Sequence, residues 1–344
     1  MGIVINQRDK QIFGFIMQEF ISTGEPVGSR SVSRRYDLDL SPATIRNIMS
    51  DLEELGFLLQ PHVSAGRIPT KEGIHYYLNE IIKTKALPKE EKSIISRQMH
   101  KNTGGLKETL RDASLLLSEI SGNASVVILP RINTFTFKRI EFVKLGTNRI
   151  LVILISKSGL VYNHVVQSDD INQDDLTKYS NFLNEKYSGF SIEKMRESLS
   201  KEMKSEKARF DSLVKEAVHM GMMALDNVED AQDMVIEGKE IVFNCPELSD
   251  IEKLREIVRA FEDKGRMLSI LNQVFEGTGV KIFIGEEIGN IGMNDLSMVA
   301  SGYFHGDTPA GSLGVIGPMR MNYKRVIPLV EYMAKLLSTM IEEI

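Results

Sequence analysis

The sequence predicts an α+β protein that opens with a winged helix-turn-helix and continues into an α+β domain with a mainly helical insertion. Three observations predict it. A sharply delimited amphipathic helix begins after Leu40, two short apolar segments flank a small-residue loop directly behind it, and strand-like runs later lie on both sides of a long helical block.

The first helix is marked by Ile12, Phe13, Ile16 and Phe20 at helical spacing, with Asn6 as its N-cap. The turn Thr23-Gly24-Glu25-Pro26-Val27-Gly28 leads to a shorter helix from about Ser29 to Tyr36, which carries Arg30, Arg34 and Arg35. The third helix has its start written into two residues. Ser41 is an N-cap, and Pro42 suits the first helical position because its missing N–H is one the helix could not use. Gly56 ends it as a left-handed cap. Ile45, Met49, Leu52 and Leu55 form the inward stripe, which leaves Thr44, Arg46, Asn47, Ser50 and Asp51 facing outward or sideways. Phe57-Leu58-Leu59 and Arg67-Ile68 then read as a hairpin, with Pro69 tolerated because both strands are edges and His62 to Gly66 as the tip.

This order is that of a winged helix whose third helix enters the major groove of double-stranded DNA. Arg46 and Asn47 are the residue types that pair bidentately with guanine and adenine, with Thr44 beside them. Ser31, Arg34, Arg35 and Ser41 are expected to hold phosphates, which sets register without reading sequence. On the wing the candidates are His62, Ser64, Gly66, Arg67 and Thr70. Arg67 is read as a phosphate or minor-groove contact, and Ser64 and Gly66 serve either contact or turn. The net charge of −5 over 344 residues works against a nucleic-acid binder, so the positive field must come from a local cluster of Arg30, Arg34, Arg35, Arg46, Arg67 and Lys71.

Beyond the wing, Thr70 to about Thr84 continues as a helix closing a unit of residues 1–84, and the polar stretch 85–105 reads as a linker around a short helix. Leu106, Leu110, Ala113, Leu117 and Ile120 mark a helix that opens a second domain. Strand signals follow at Val126-Val127-Ile128-Leu129, Phe137 to Leu145, Ile150 to Ile155 and Leu160 to Val166. From Gln173 to about Asp230 the period is helical, with Phe210, Leu213, Val214, Ala217, Met220, Ala224 and Leu225 on one stripe, which reads as core. Strand-like runs return at Lys281 to Ile284, Ser297 to Phe304 and Ser312 to Ile316, before a helix from Tyr323 to Glu343.

The chain resembles the HrcA family of bacterial heat-inducible transcription repressors. The likeness is carried by Pro26-Val27-Gly28-Ser29-Arg30, by Ser41-Pro42-Ala43-Thr44-Ile45-Arg46-Asn47 and by the run from Pro61 to Thr70. It extends to Ile282-Phe283-Ile284-Gly285-Glu286-Glu287 and to Gly314 through Tyr323, with Met319 as a departure where Thr is expected. The resemblance implies a GAF-like domain built from residues 106–170 and 236–344, split by an inserted dimerisation domain at 171–235. It also implies a homodimer on the inverted-repeat CIRCE operator, control of class I heat-shock chaperone operons, and modulation by the GroE chaperonin.

No chemistry competes with this reading. His62, His75, His100, His164, His219 and His305 are scattered, Cys245 has no partner, and the glycines at 285, 289 and 292 or 311, 314 and 317 make no phosphate loop. No catalytic, cofactor or metal residue is therefore expected. A single cysteine, no signal peptide and no apolar run longer than Ile150 to Ile155 point to the cytoplasm and away from a membrane. The alternative is a ligand-responsive winged-helix regulator whose GAF-like domain senses a small molecule.

Overall fold

The computed structural model describes residues 5–36, 40–63, 65–100, 106–129, 136–157, 161–203, 212–226, 234–243, 245, 250–276, 279–289, 294–306 and 308–343. Ser64, the run Asn102-Thr103-Gly104-Gly105, the turn at Ser158-Gly159-Leu160, Phe210 and Gly292 lie outside them.

The N-terminal head is built from local signals. Helix α1 (Gln7–Thr23) starts where the Asn6 side chain accepts the Asp9 N–H at 2.9 Å and ends at Gly24 in the left-handed region. After α2 (Ser29–Arg35), helix α3 (Pro42–Glu54) begins at Ser41, whose Oγ accepts the Thr44 N–H at 3.1 Å. It closes with a paired termination: Gly56 N–H donates to Glu53 O and Phe57 N–H to Leu52 O, both at 2.9 Å, with Gly56 at φ +78°. The inward stripe is Ile45, Ile48, Met49 and Leu52; Leu55, expected on it, is 38% exposed. The chain has already turned at Gly56, and Phe57 is the side chain buried beyond the turn.

Strands β1 (Leu58–Leu59) and β2 (Ile68–Pro69) pair antiparallel. Helix α4 (Lys71–Tyr76) follows with Thr70 as its N-cap and continues into one π-helical turn, Tyr77–Ile81. Ile12, Phe13, Ile16, Val32, Ile45, Leu52 and Ile74 make the buried centre of the head. The expected linker is firmer than its polar composition suggests. Its helix α5 (Lys89–Met99) buries Ile95 and Met99, and the C-terminal helix α12 (Tyr323–Glu343) holds it through Tyr332 Oη donating to Lys92 O at 3.0 Å and Arg325 pairing with Glu91 at 3.3 Å.

The body is a five-stranded antiparallel sheet of β3 (Ala124–Ile128), β7 (Met234–Glu237), β8 (Val280–Ile284), β9 (Leu296–His305) and β10 (Thr308–Pro318), in the order β7-β3-β10-β9-β8. Period-two alternation divides its strands. Val127, Val299, Leu313 and Val315 face α6 (Leu106–Ser121) and α12, whereas Val126, Ile128, Met298 and Ile316 face α10 (Ile251–Glu262) and α11 (Lys264–Asn272). Helices on both faces explain why these strands read as continuous apolar runs. The flanking halves of the chain thus share one antiparallel sheet.

The helical block does not stand alone. Strands β4 (Phe137–Gly146), β5 (Arg149–Ser156) and β6 (Val161–Gln167), expected with the body, form a separate three-stranded meander. Its core joins Phe137, Phe142, Val152 and Val166 to Leu183, Leu199, Ala217 and Met220 of α7 (Gln173–Tyr187), α8 (Ile192–Met203) and α9 (Ser212–Asp226). Helix α7 also satisfies the free edge of β4. Asn184 accepts the Ile140 N–H at 2.7 Å and donates to Ile140 O at 3.0 Å, and Gln173 does the same for Lys144 N–H and Phe142 O at 2.8 and 2.9 Å. At the other end, Met234 and Val235 pair with Ile128 and Val127 in the body sheet, so the expected limit at 235 falls inside β7.

Gly73 sets how closely α4 approaches the hairpin, because a Cβ there would stand 2.1 Å from Phe57 O. Gly73→Ala must push α4 off the hairpin and is expected to cost about 1–3 kcal/mol, read from urea unfolding of the full chain.

Candidate nucleic-acid interface

Helix α3 is held from behind by its apolar stripe and presents Ala43, Arg46 and Asn47 to solvent, with Thr44 half-buried at their side. These positions follow i, i+3, i+4 spacing and so share one face near the helix N-terminus. The hydroxyls at the start of the helix are committed to the cap, with Ser41 Oγ and Thr44 Oγ1 2.9 Å apart and Ser41 accepting a backbone N–H.

Arg30, Ser31, Arg34 and Arg35 of α2 line one shallow concavity. Beneath it lies a residue not singled out from sequence. Glu19 is 7% exposed, accepts from Ser31 Oγ at 3.2 Å and pairs with Arg35 Nη1 at 2.7 Å, which pins α2 to α1. A signal was available, since Glu19 stands seven residues after Ile12 and three after Ile16, on the buried stripe. A carboxylate there needs a partner. Arg35 still keeps 53% of its side chain exposed.

On the hairpin, the geometry gives several candidates an internal task. Arg67 pairs its main chain with Val27, N–H to O in both directions at 2.8 and 2.9 Å, and its Nε lies 2.8 Å from Glu53 Oε2 with only 16% of the side chain exposed. Gly66 passes so close to this bridge that a Cβ would lie 2.4 Å from Val27 O. Thr70 Oγ1 donates to Gly56 O at 2.6 Å and accepts the Gly73 N–H at 3.0 Å. His62 and Val63 are exposed at the tip, which Gln60 braces by donating to Val63 O and Ala65 O at 2.9 and 3.0 Å. Neither Glu53 nor Gln60 stood out in the sequence, since both partners lie across a turn.

Lys71, expected in the positive cluster, lies 3.3 Å from Glu287 of the body. Glu287 also meets His75 Nε2 at 3.0 Å and accepts the Ile284 N–H at 2.9 Å. Burial alone would push its carboxyl up, yet the Ile284 N–H, His75 and Lys71 together hold it below the ordinary carboxylate value. Of the six expected cations, three therefore face carboxylates of the protein itself. Arg30, Arg34 and Arg46 are exposed with no carboxylate partner among the described residues.

Among the described residues, no group of three or more His, Cys, Asp or Glu could hold a metal ion, and no helix is long and apolar enough to cross a membrane.

The family model described as "HrcA protein C terminal domain" matches residues 107–327. The chain is 41% identical over 341 residues to the heat-inducible transcription repressor HrcA of Syntrophobacter fumaroxidans, covering 98% of both chains. It is 39% identical over 339 residues to that of Geobacter sulfurreducens, again covering 98% of both. A solved structure titled as that of a hypothetical protein at 2.2 Å shares the fold, with a TM-score of 0.63, 23% identity and 98% coverage of both chains. The chain is thus a transcription repressor, a class that acts by binding DNA and not by catalysis. It belongs to the HrcA family of heat-inducible repressors.

Because the Glu287 carboxyl is held low in the folded state, its charge stabilises the protein above the ordinary carboxylate value, and that contribution disappears as pH falls through the folded value. The melting-temperature gap between wild type and Glu287→Gln should close as the pH is lowered to pH 3, as followed by circular dichroism.

Proposed function

We propose that the head is a winged helix whose α3 lies in the major groove of an inverted-repeat operator of the CIRCE type, repressing chaperone operons in the cytoplasm. The observation that carries this reading is the polar face of α3: Arg46 and Asn47 stand exposed at the N-terminal end of a helix buried only on its other side. In this arrangement Arg46 and Asn47 read base edges, with Thr44 beside them, while Arg30, Arg34, the exposed half of Arg35 and the helix start at Ser41 meet phosphates. His62 at the wing tip reaches the adjacent groove. Arg67, Thr70 and Gly66 act by holding the wing against α3, and Lys71 by holding the head on the body. The body is the GAF-like domain of the family.

Two copies bind together, since an inverted repeat matches a two-fold protein and linkage multiplies two weak half-site contacts. The outer face of the three-stranded sheet supports a dimer. Val143, Leu151, Ile153, Ile155, Val161 and Val165 share it by register, and Val161 and Val165 are 57% and 42% exposed. The unit that dimerises is then the whole meander with α7 to α9, residues 136–226. Supply of folded repressor depends on the GroE chaperonin, as the family resemblance implies, and this requires a marginally stable chain.

Three measurements test this. Asn47→Ala should cost roughly 1–3 kcal/mol against the operator and little against scrambled duplex, by fluorescence anisotropy. Arg34→Ala should weaken both duplexes alike and reduce the slope of log affinity against log salt by about 1. Operator affinity that is unchanged by Asn47→Ala would overturn the placement of α3. Ile153→Glu should yield a monomer by sedimentation velocity at micromolar concentration and abolish the preference for an inverted repeat over a single half-site.

A further inference from the structure

A charged contact joins α4 of the head to the body. Glu287 sits in the 3₁₀ turn Gly285–Ile288 at the end of β8, a turn bounded by Gly285 at φ +58° and Gly289 at φ +69°. Its carboxylate is anchored on its own side by the Ile284 N–H and reaches across to α4, where His75 Nε2 lies 3.0 Å from both oxygens and Lys71 Nζ 3.3 Å from one. The residue before α4, Thr70, donates to Gly56 O at the end of α3 at 2.6 Å, and its N–H donates to Phe57 O at 3.0 Å. A pull on α4 is therefore passed through hydrogen bonds to the C-terminal end of the helix that faces DNA.

The geometry points to Glu287 as a positioning residue: by gripping Lys71 and His75 it sets the angle of the head on the body, and so the half-site separation that a dimer accepts. This rests on the operator-binding reading above. In a two-fold complex the dimer contact and the body fix where the two heads start, and the head angle decides whether both α3 helices meet major grooves at once. One base pair of spacing displaces a half-site by about 3.4 Å and rotates it by about 35°. A charge grip on one side of the head resists such a change, whereas apolar packing, being non-directional, does so less.

The test uses the full-length protein and duplexes carrying an inverted repeat selected by the wild type from random sequence, at the selected spacing and with one base pair added or removed. Glu287→Gln keeps the side-chain size and the acceptor for Ile284 N–H and removes only the charge. It should bind the selected spacing about fivefold more weakly while the altered spacings and a single half-site are bound as before, so that spacing discrimination falls. His75→Leu, which breaks the same grip from the head, should give the same pattern with an unchanged half-site affinity. If both variants bind the half-site normally and keep wild-type spacing discrimination, the positioning role is wrong. If the wild type itself selects no inverted repeat, it is the operator-binding reading that fails.

Discussion

Everything the head can do depends on α3 being held from one side only. Ile45, Ile48, Met49 and Leu52 are buried against α1, α2 and the turn at Phe57, and this apolar anchorage fixes the helix without using its polar face. A helix packed on two sides would have no surface left for a groove, and an unpacked helix of thirteen residues would scarcely persist in water. The rest of the head serves that constraint. Glu19 locks α2 behind α3, the Val27 to Arg67 bridge brings the hairpin alongside, and Glu53 ties the far end of α3 to that bridge.

Charge is spent sparingly for a DNA-binding protein. Arg35, Arg67 and Lys71 each meet a carboxylate of the chain, so the electrostatic attraction to phosphate is weaker than the count of basic residues suggests. Weak non-specific attraction suits the proposed repressor, in which discrimination would rest on groove contacts made twice. It also accounts for a chain of net charge −5 in a family that binds DNA.

Elements governed by near neighbours along the chain are legible in the residues alone. Asn6, Ser41 with Pro42, Gly56 and Thr70 mark helix ends because a cap needs one side chain and one or two backbone groups a few residues away. The face of α3 follows from its period, apart from Leu55, where the chain turns one residue sooner than the stripe. The elements β7, α10 and α11 were not expected, although Leu254, Ile257 and Phe261 of α10 recur at helical spacing. The partners of Arg67 and Lys71 leave no mark on the sequence because they lie 14 and 216 residues away, and nothing in local spacing connects such distances.

By itself the sequence determined the first three helices with their starts and stops, the hairpin behind α3, and the family, since each is a property of short segments or of motifs in order. Tertiary structure decided which strands share a sheet, so that β4 to β6 join α7 to α9 and β7 joins the body. It also decided that Arg35, Arg67 and Lys71 face Glu19, Glu53 and Glu287, whereas Arg30, Arg34 and Arg46 have no carboxylate partner among the described residues. The physical reason is common to both. Sheet pairing and ion pairing depend on which surfaces meet once the chain has folded, and that meeting is settled by the burial of three cores together, not by any one segment.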